Sequence, residues 1–114
     1  MGGISTHILD TSLGRPASGV AVHLESAGDG GVWHRIGSQR TDQDGRCREL
    51  LPESASLTAG RYRLCFETGP YYEAHAMRGL YPIVEITFNV LDSDRHLHIP
   101  LLLTANGYTT YRGT

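Results

Sequence analysis

The stretch Arg95-His96-Leu97-His98-Ile99-Pro100-Leu101-Leu102-Leu103 decides how this chain is read. Its residues alternate with the period of a β-strand, in which side chains two apart share a face. Leu97, Ile99, Leu101 and Leu103 fall on one face, as a core requires, and His96, His98, Pro100 and Leu102 on the other. Two imidazoles mixed with proline and leucine do not make an ordinary solvent face, so that side is expected to be covered by another subunit.

The same period extends outward from this strand. Val20, Val22 and Leu24 alternate, the Gly28-Asp29-Gly30-Gly31 cluster turns the chain, and Trp33 to Thr41 makes the return strand of a hairpin. Asp42-Gln43-Asp44-Gly45 closes that strand, with Gly45 able to take a positive φ, and Arg46 emerges directly after it. In Arg61-Tyr62-Arg63-Leu64-Cys65-Phe66 the tyrosine, leucine and phenylalanine point inward, and Gly69-Pro70 is read as the strand's end. Tyr71 to Met77 lacks period two and reads as one short helix ending near Gly79. Val84, Ile86, Phe88 and Val90 form the inner face of a further strand. About eight strands and a single helix describe an all-β sandwich.

At 114 residues, with no repeat or linker-like tract, residues 1–114 are expected to form one domain. The ten arginines, with no lysine, face twelve carboxylates; a net charge of −2 leaves no basic stripe for a phosphate backbone, so nucleic acid is not an expected partner. No apolar run is long enough to span a bilayer, so no membrane association is expected. Met1-Gly2-Gly3-Ile4-Ser5-Thr6 matches a loose N-myristoylation pattern, but no basic second signal follows and one acyl chain holds a membrane only marginally. Cys47 and Cys65 are too few for a disulfide scaffold, and with no signal-peptide pattern the cytoplasm is the expected compartment.

Candidate chemistry rests on few residues. In Ile4-Ser5-Thr6-His7-Ile8-Leu9, His7 shares a face with Ser5 and Leu9. Two imidazoles and an arginine brought together can deprotonate water and stabilise an oxyanion at a carbonyl. His23, His34 and His75 are read instead as surface or hydrogen-bonded core residues. His96-x-His98 also has the spacing of a metal pair, but further ligands are not evident and no metal is expected. Both thiols are read as structural. At the end of the chain, Tyr111-Arg112-Gly113-Thr114 offers a guanidinium, a glycine for close approach and a hydroxyl, a set suited to a small polar ligand.

Taken together, Ser5-Thr6-His7-Ile8-Leu9-Asp10, Thr41-Asp42-x-Asp44-Gly45-Arg46, Tyr81-Pro82-x-Val84-x-Ile86-x-Phe88, His98-x-Pro100-Leu101-Leu102-Leu103 and Tyr111-Arg112-Gly113-Thr114 resemble the 5-hydroxyisourate hydrolase family, the transthyretin-related enzymes of urate degradation. The resemblance runs in order from residue 4 to the last residue. It implies a transthyretin-like sandwich of two four-stranded sheets with one short helix. It also implies a homotetramer with active sites between paired dimers, no cofactor, and a small purine-derived substrate.

By position, the resemblance implies catalytic roles for His7, Arg46 and His98 and substrate-binding roles for Tyr111, Arg112, Gly113 and Thr114. Either histidine could activate water; His7 is the preferred base. The family's closing Tyr-Arg-Gly-Ser ends here in Thr114, which keeps the hydroxyl and adds a β-methyl. The implied reaction opens the six-membered ring of 5-hydroxyisourate to 2-oxo-4-hydroxy-4-carboxy-5-ureidoimidazoline. The competing implication of the same fold is a transthyretin-like carrier of small ligands without catalysis. A structural oligomer binding zinc through its histidine pair is a third reading.

Overall fold

Among the described residues the chain forms ten strands: β1 (Gly3–Asp10), β2 (Arg15–Pro16), β3 (Ala21–Ala27), β4 (Trp33–Arg40), β5 (Arg46–Cys47), β6 (Gly60–Glu67), β7 (Val84–Val90), β8 (His96–His98), β9 (Leu101–Leu103) and β10 (Tyr108–Thr110). The computed structural model describes residues 3–114; Met1 and Gly2, which open the acylation pattern, lie outside the described residues. One sheet runs β4-β3-β6-β7, antiparallel throughout. The other is built around β1, in the order β10-β9-β1-β2, with β5 and β8 also pairing β1. The second sheet therefore counts six strands where four were expected: β1 has eight residues, and the pairing around it is broken into segments of two or three.

Pro100 is one cause. It has no N–H to give a ladder, so the single strand expected over residues 95–103 divides into β8 and β9, both parallel to β1. The alternation survives the break: Leu97, Ile99, Leu101 and Leu103 are all buried. They meet Val22, Leu24, Leu64 and Phe66 from the facing sheet in one apolar core.

The helix, α1 (Thr68–Ala74), begins three residues earlier than the sequence suggests. Gly69-Pro70 does not break the chain but lies in the helix's first turn, where proline's missing N–H has no helical partner to lose. Tyr71 ties this helix to β1, its hydroxyl donating to the buried Asp10 Oδ2 at 2.6 Å. Asp10 Oδ1 accepts from the backbone N–H groups of Ser12 and Leu13, so β1 ends in a fixed turn. No helix among the described residues is long and apolar enough to cross a membrane.

Candidate active site

The turn before β5 places Arg46. Gly45 adopts φ 76°, and a Cβ there would fall 2.4 Å from the carbonyl oxygen of Ile8, so only glycine lets the turn lie against β1. Ile8 N–H donates to the Gly45 carbonyl at 2.8 Å, closing that contact. Asp42 Oδ1 accepts from the backbone N–H groups of Asp44 and Arg46, which holds its carboxyl below the usual range. Antiparallel register then sets Arg46 directly opposite His7.

The parallel pairing of β8 with β1 sets Ser5 opposite His98 and Gly3 opposite His96. The Ser5 hydroxyl shares hydrogen bonds with both rings, at 2.8 Å to His98 Nδ1 and 2.9 Å to His96 Nε2. Thr6, fully buried, donates from its hydroxyl to the Ile99 carbonyl and so pins the end of β8 from the core side. His98 is partly buried, and burial first, then the charges of Arg46, His7 and His96, pulls its pKa below the ordinary imidazole value. The ring is therefore held ready to accept a proton at neutral pH.

The last residues lie against this strand. Gly113 N–H donates to the His98 carbonyl at 2.8 Å, and Thr110 Oγ1 donates to the Pro100 carbonyl at 2.7 Å. A Cβ at Gly113 would stand 2.6 Å from His98 Cδ2 and 3.2 Å from Pro100 Cγ, so glycine is what permits the approach.

These elements border an open cavity of about 290 Å³ lined by Ser5, Thr6, Arg46, Cys47, Arg48, His96, His98 and Thr114. Of the residues singled out from the sequence, Arg46, His98 and Thr114 thus reach one cavity from three separate segments. His7, half-buried, sits beside the cavity across from Arg46 and is not part of its wall. Arg112 is not part of the cavity wall and pairs through Nη2 with Asp94 Oδ1 at 3.0 Å, and Tyr111 is exposed. Cys47 lines the cavity, but burial pushes its thiol up to about 12, so it holds its proton and is not a nucleophile.

Ser5 and Arg48 are cavity residues to which the sequence reading assigned no role, and His96 is one it weighed only as half of a metal pair. The alternation had already placed Ser5 on the face of His7, and His96 on the face of His98. Among the described residues, no group of three or more His, Cys, Asp or Glu side chains is placed to hold a metal ion. His23 is a hydrogen-bonded, nearly buried residue, with Nδ1 to Ser38 Oγ at 2.9 Å and Nε2 to Glu67 Oε2 at 2.6 Å. It lies on the four-stranded sheet, away from the cavity.

Residues 4–113 match the model of the HIUase/Transthyretin family. The 5-hydroxyisourate hydrolase of Salmonella typhimurium is 43% identical over 111 residues, covering 97% of this chain and 80% of that protein. Among solved structures, 5-hydroxyisourate hydrolase from Klebsiella pneumoniae has a TM-score of 0.85 at 35% identity over the whole of both chains. Transthyretin from Sparus aurata has a TM-score of 0.91 at 28% identity, covering 99% of this chain and 97% of that one. A hydrolase and a transthyretin share this backbone, so the decision between them falls to the side chains of the cavity.

Proposed function

The chain belongs to the HIUase/Transthyretin family, and from that membership we propose that it is a hydrolase that opens the six-membered ring of 5-hydroxyisourate, giving 2-oxo-4-hydroxy-4-carboxy-5-ureidoimidazoline. The observation that carries the proposal is the convergence of His98, Arg46 and Thr114 on one small cavity. A neutral imidazole beside a permanent guanidinium is the pair that water attack on an amide carbonyl needs.

In this mechanism His98 takes a proton from water as the oxygen attacks the ring carbonyl. Arg46 stabilises the oxyanion that develops, and collapse breaks the C–N bond while His98 returns the proton to the leaving nitrogen. His7, facing Arg46 across the strand pair, orients the guanidinium. The preference between the two histidines passes to His98 because its ring lines the cavity and is kept neutral. The Thr114 hydroxyl positions the planar substrate, Gly113 sets its approach, and Tyr111 and Arg112 close over it when a second copy covers this face. The reading needs no cofactor, and includes a homotetramer with sites between paired dimers, working in the cytoplasm, where unpaired Cys47 and Cys65 stay reduced.

The test is ultraviolet monitoring of 5-hydroxyisourate generated in situ by urate oxidase, corrected for spontaneous decay. Acceleration by the wild type, lost on His98→Ala, supports the reading; a wild type that leaves the decay rate unchanged rejects it. The backbone likeness to transthyretin favours a second reading, a non-catalytic small-ligand carrier. That reading expects stoichiometric binding without turnover in the same assay.

A further inference from the structure

Residues beyond a last strand fray unless something ties them down, yet Thr114 reaches the wall of the site cavity. One tie is the Gly113 N–H, bonded to the His98 carbonyl at 2.8 Å. A single hydrogen bond fixes one point and leaves the residue after it free to pivot. The residue before it carries a second tie. Arg112 Nη2 donates to Asp94 Oδ1 at 3.0 Å, and Asp94 lies in the turn between β7 and β8.

That turn holds its carboxylate still. Asp94 Oδ2 accepts from the Leu91 backbone N–H at 2.7 Å, and the Asp94 N–H donates to the Leu91 carbonyl at 3.0 Å, so side chain and backbone are locked into one loop. The Asp94 side chain is only 8% exposed, whereas that of Arg112 is 65% exposed. The carboxylate is therefore the fixed partner, and the long guanidinium side chain is the one that is caught. Both ties belong to one strand, since Asp94 stands two residues before β8 and His98 is its last residue. At about 3.3 Å per residue the two anchor points lie up to roughly 13 Å apart, a baseline long enough to set the direction of the tail as well as its position.

On the hydrolase reading, we propose that Asp94 is a positioning residue: by holding Arg112 it fixes the tail along β8 and so sets the Thr114 hydroxyl in the site cavity before substrate arrives. The tail is then ordered by folding and not by substrate binding, which leaves more of the binding energy for the substrate itself. Asp94 lines a neighbouring cavity of about 640 Å³ and not the wall of the site cavity, so it acts through Arg112 and Thr114. The guanidinium commits one N–H to Asp94 and keeps its other donors for the substrate when a second copy covers this face.

The experiment compares wild type, Asp94→Asn, Thr114→Val and the double variant as full chains. An asparagine still accepts the Leu91 N–H through its amide oxygen but offers Arg112 no charge, so the turn is kept and the ion pair is lost. The first readout needs no substrate: hydrogen exchange of the Gly113 amide, followed by NMR. It should quicken at least about fivefold in Asp94→Asn, while the Ile8 amide, bonded to the Gly45 carbonyl, stays within about twofold. The second readout is kinetic, with substrate made in situ. KM should rise about threefold to tenfold in Asp94→Asn with kcat within about twofold. Because Thr114 carries the effect, Thr114→Val should add less than about twofold to KM in the Asp94→Asn background. Unchanged Gly113 exchange or unchanged KM in Asp94→Asn overturns the proposal, and wild-type turnover alongside it leaves the hydrolase reading intact. A KM that falls overturns it too, since Asp94 would then be holding Arg112 away from the substrate. Full additivity of the two substitutions also overturns it, by placing the effect elsewhere than Thr114. A wild type without turnover removes the hydrolase reading and this role together.

Discussion

The backbone N–H of Gly113 donates to the carbonyl of His98 at 2.8 Å, so the end of the chain is fastened to the strand that carries the site's imidazole. The contact depends on the missing side chain, because a Cβ at residue 113 would stand 2.6 Å from His98 Cδ2. Gly113→Ala must therefore push the terminal segment away or rotate the ring. A displacement on the order of 1 Å costs up to roughly 10²-fold in rate when it separates reacting groups. We expect Gly113→Ala to lower kcat/KM by about tenfold to a hundredfold with little change in Tm; unchanged kcat/KM would show that the fastening has no catalytic consequence.

Arg46 acts on His98 through charge. His98 lies below its ordinary 6.5, from burial first and then from Arg46, His7 and His96. The unfolded chain thus binds this proton at a higher pH than the folded one. The stability linked to His98 is full above pH 6.5 and declines as pH falls toward the folded value. Arg46→Gln removes one repulsion, so the His98 midpoint in a proton–nitrogen NMR titration should move up toward 6.5. In the wild type the acid limb of kcat/KM should lie below 6.5 for the same reason. A midpoint that stays put or falls in Arg46→Gln contradicts this electrostatic account.

Much of this was legible in the sequence because pleating is local. Val20, Val22, Leu24, Tyr62, Leu64 and Phe66 alternate in the chain and are buried in the fold. The match of residues 4–113 to the HIUase/Transthyretin family agrees with the resemblance read from five short segments. Neighbours across the sheet were not legible. Alternation assigns Ser5 and His98 to faces, but only the parallel pairing of β1 with β8 makes them touch. The pairing of Arg112 with Asp94 joins a terminal segment to a turn, and no periodicity links those two. The helix boundary was misplaced because Gly69-Pro70 signals a break equally well at the end of a strand and in a helix's first turn.

Tyr71 gives a test of the scaffold without touching the site. Its hydroxyl donates to Asp10 Oδ2 at 2.6 Å, and both residues are buried. Burial, followed by the hydrogen bond to Asp10, drives the phenol pKa upward, so it stays protonated as a donor. Tyr71→Phe leaves a buried carboxylate one donor short. Hydrogen bonds to charged groups contribute roughly 1.5–3 kcal/mol, and urea denaturation should show a loss of that size. Because the helix and the end of β1 are joined here, kcat/KM of the folded variant should stay within about twofold of wild type. A loss under about 0.5 kcal/mol would mean that water replaces the phenol at Asp10.

Thr114 separates hydroxyl from methyl. It lines the site cavity, and the family pattern read from the sequence has serine there. Thr114→Ser removes only the β-methyl and frees χ1, so the hydroxyl can still reach the substrate. Thr114→Val keeps the shape and deletes the hydroxyl. A neutral hydrogen bond is worth about 0.5–1.5 kcal/mol, which converts to roughly twofold to tenfold in kcat/KM. We expect Thr114→Ser to remain within about twofold of wild type and Thr114→Val to fall through that range, mainly in KM, if the bond is made equally in the bound and transition states. Equal kcat/KM for all three would mean that residue 114 contributes its backbone alone, and the substrate's polar edge would then have to be held by Arg46 and Arg48, the two guanidinium groups that share the cavity wall.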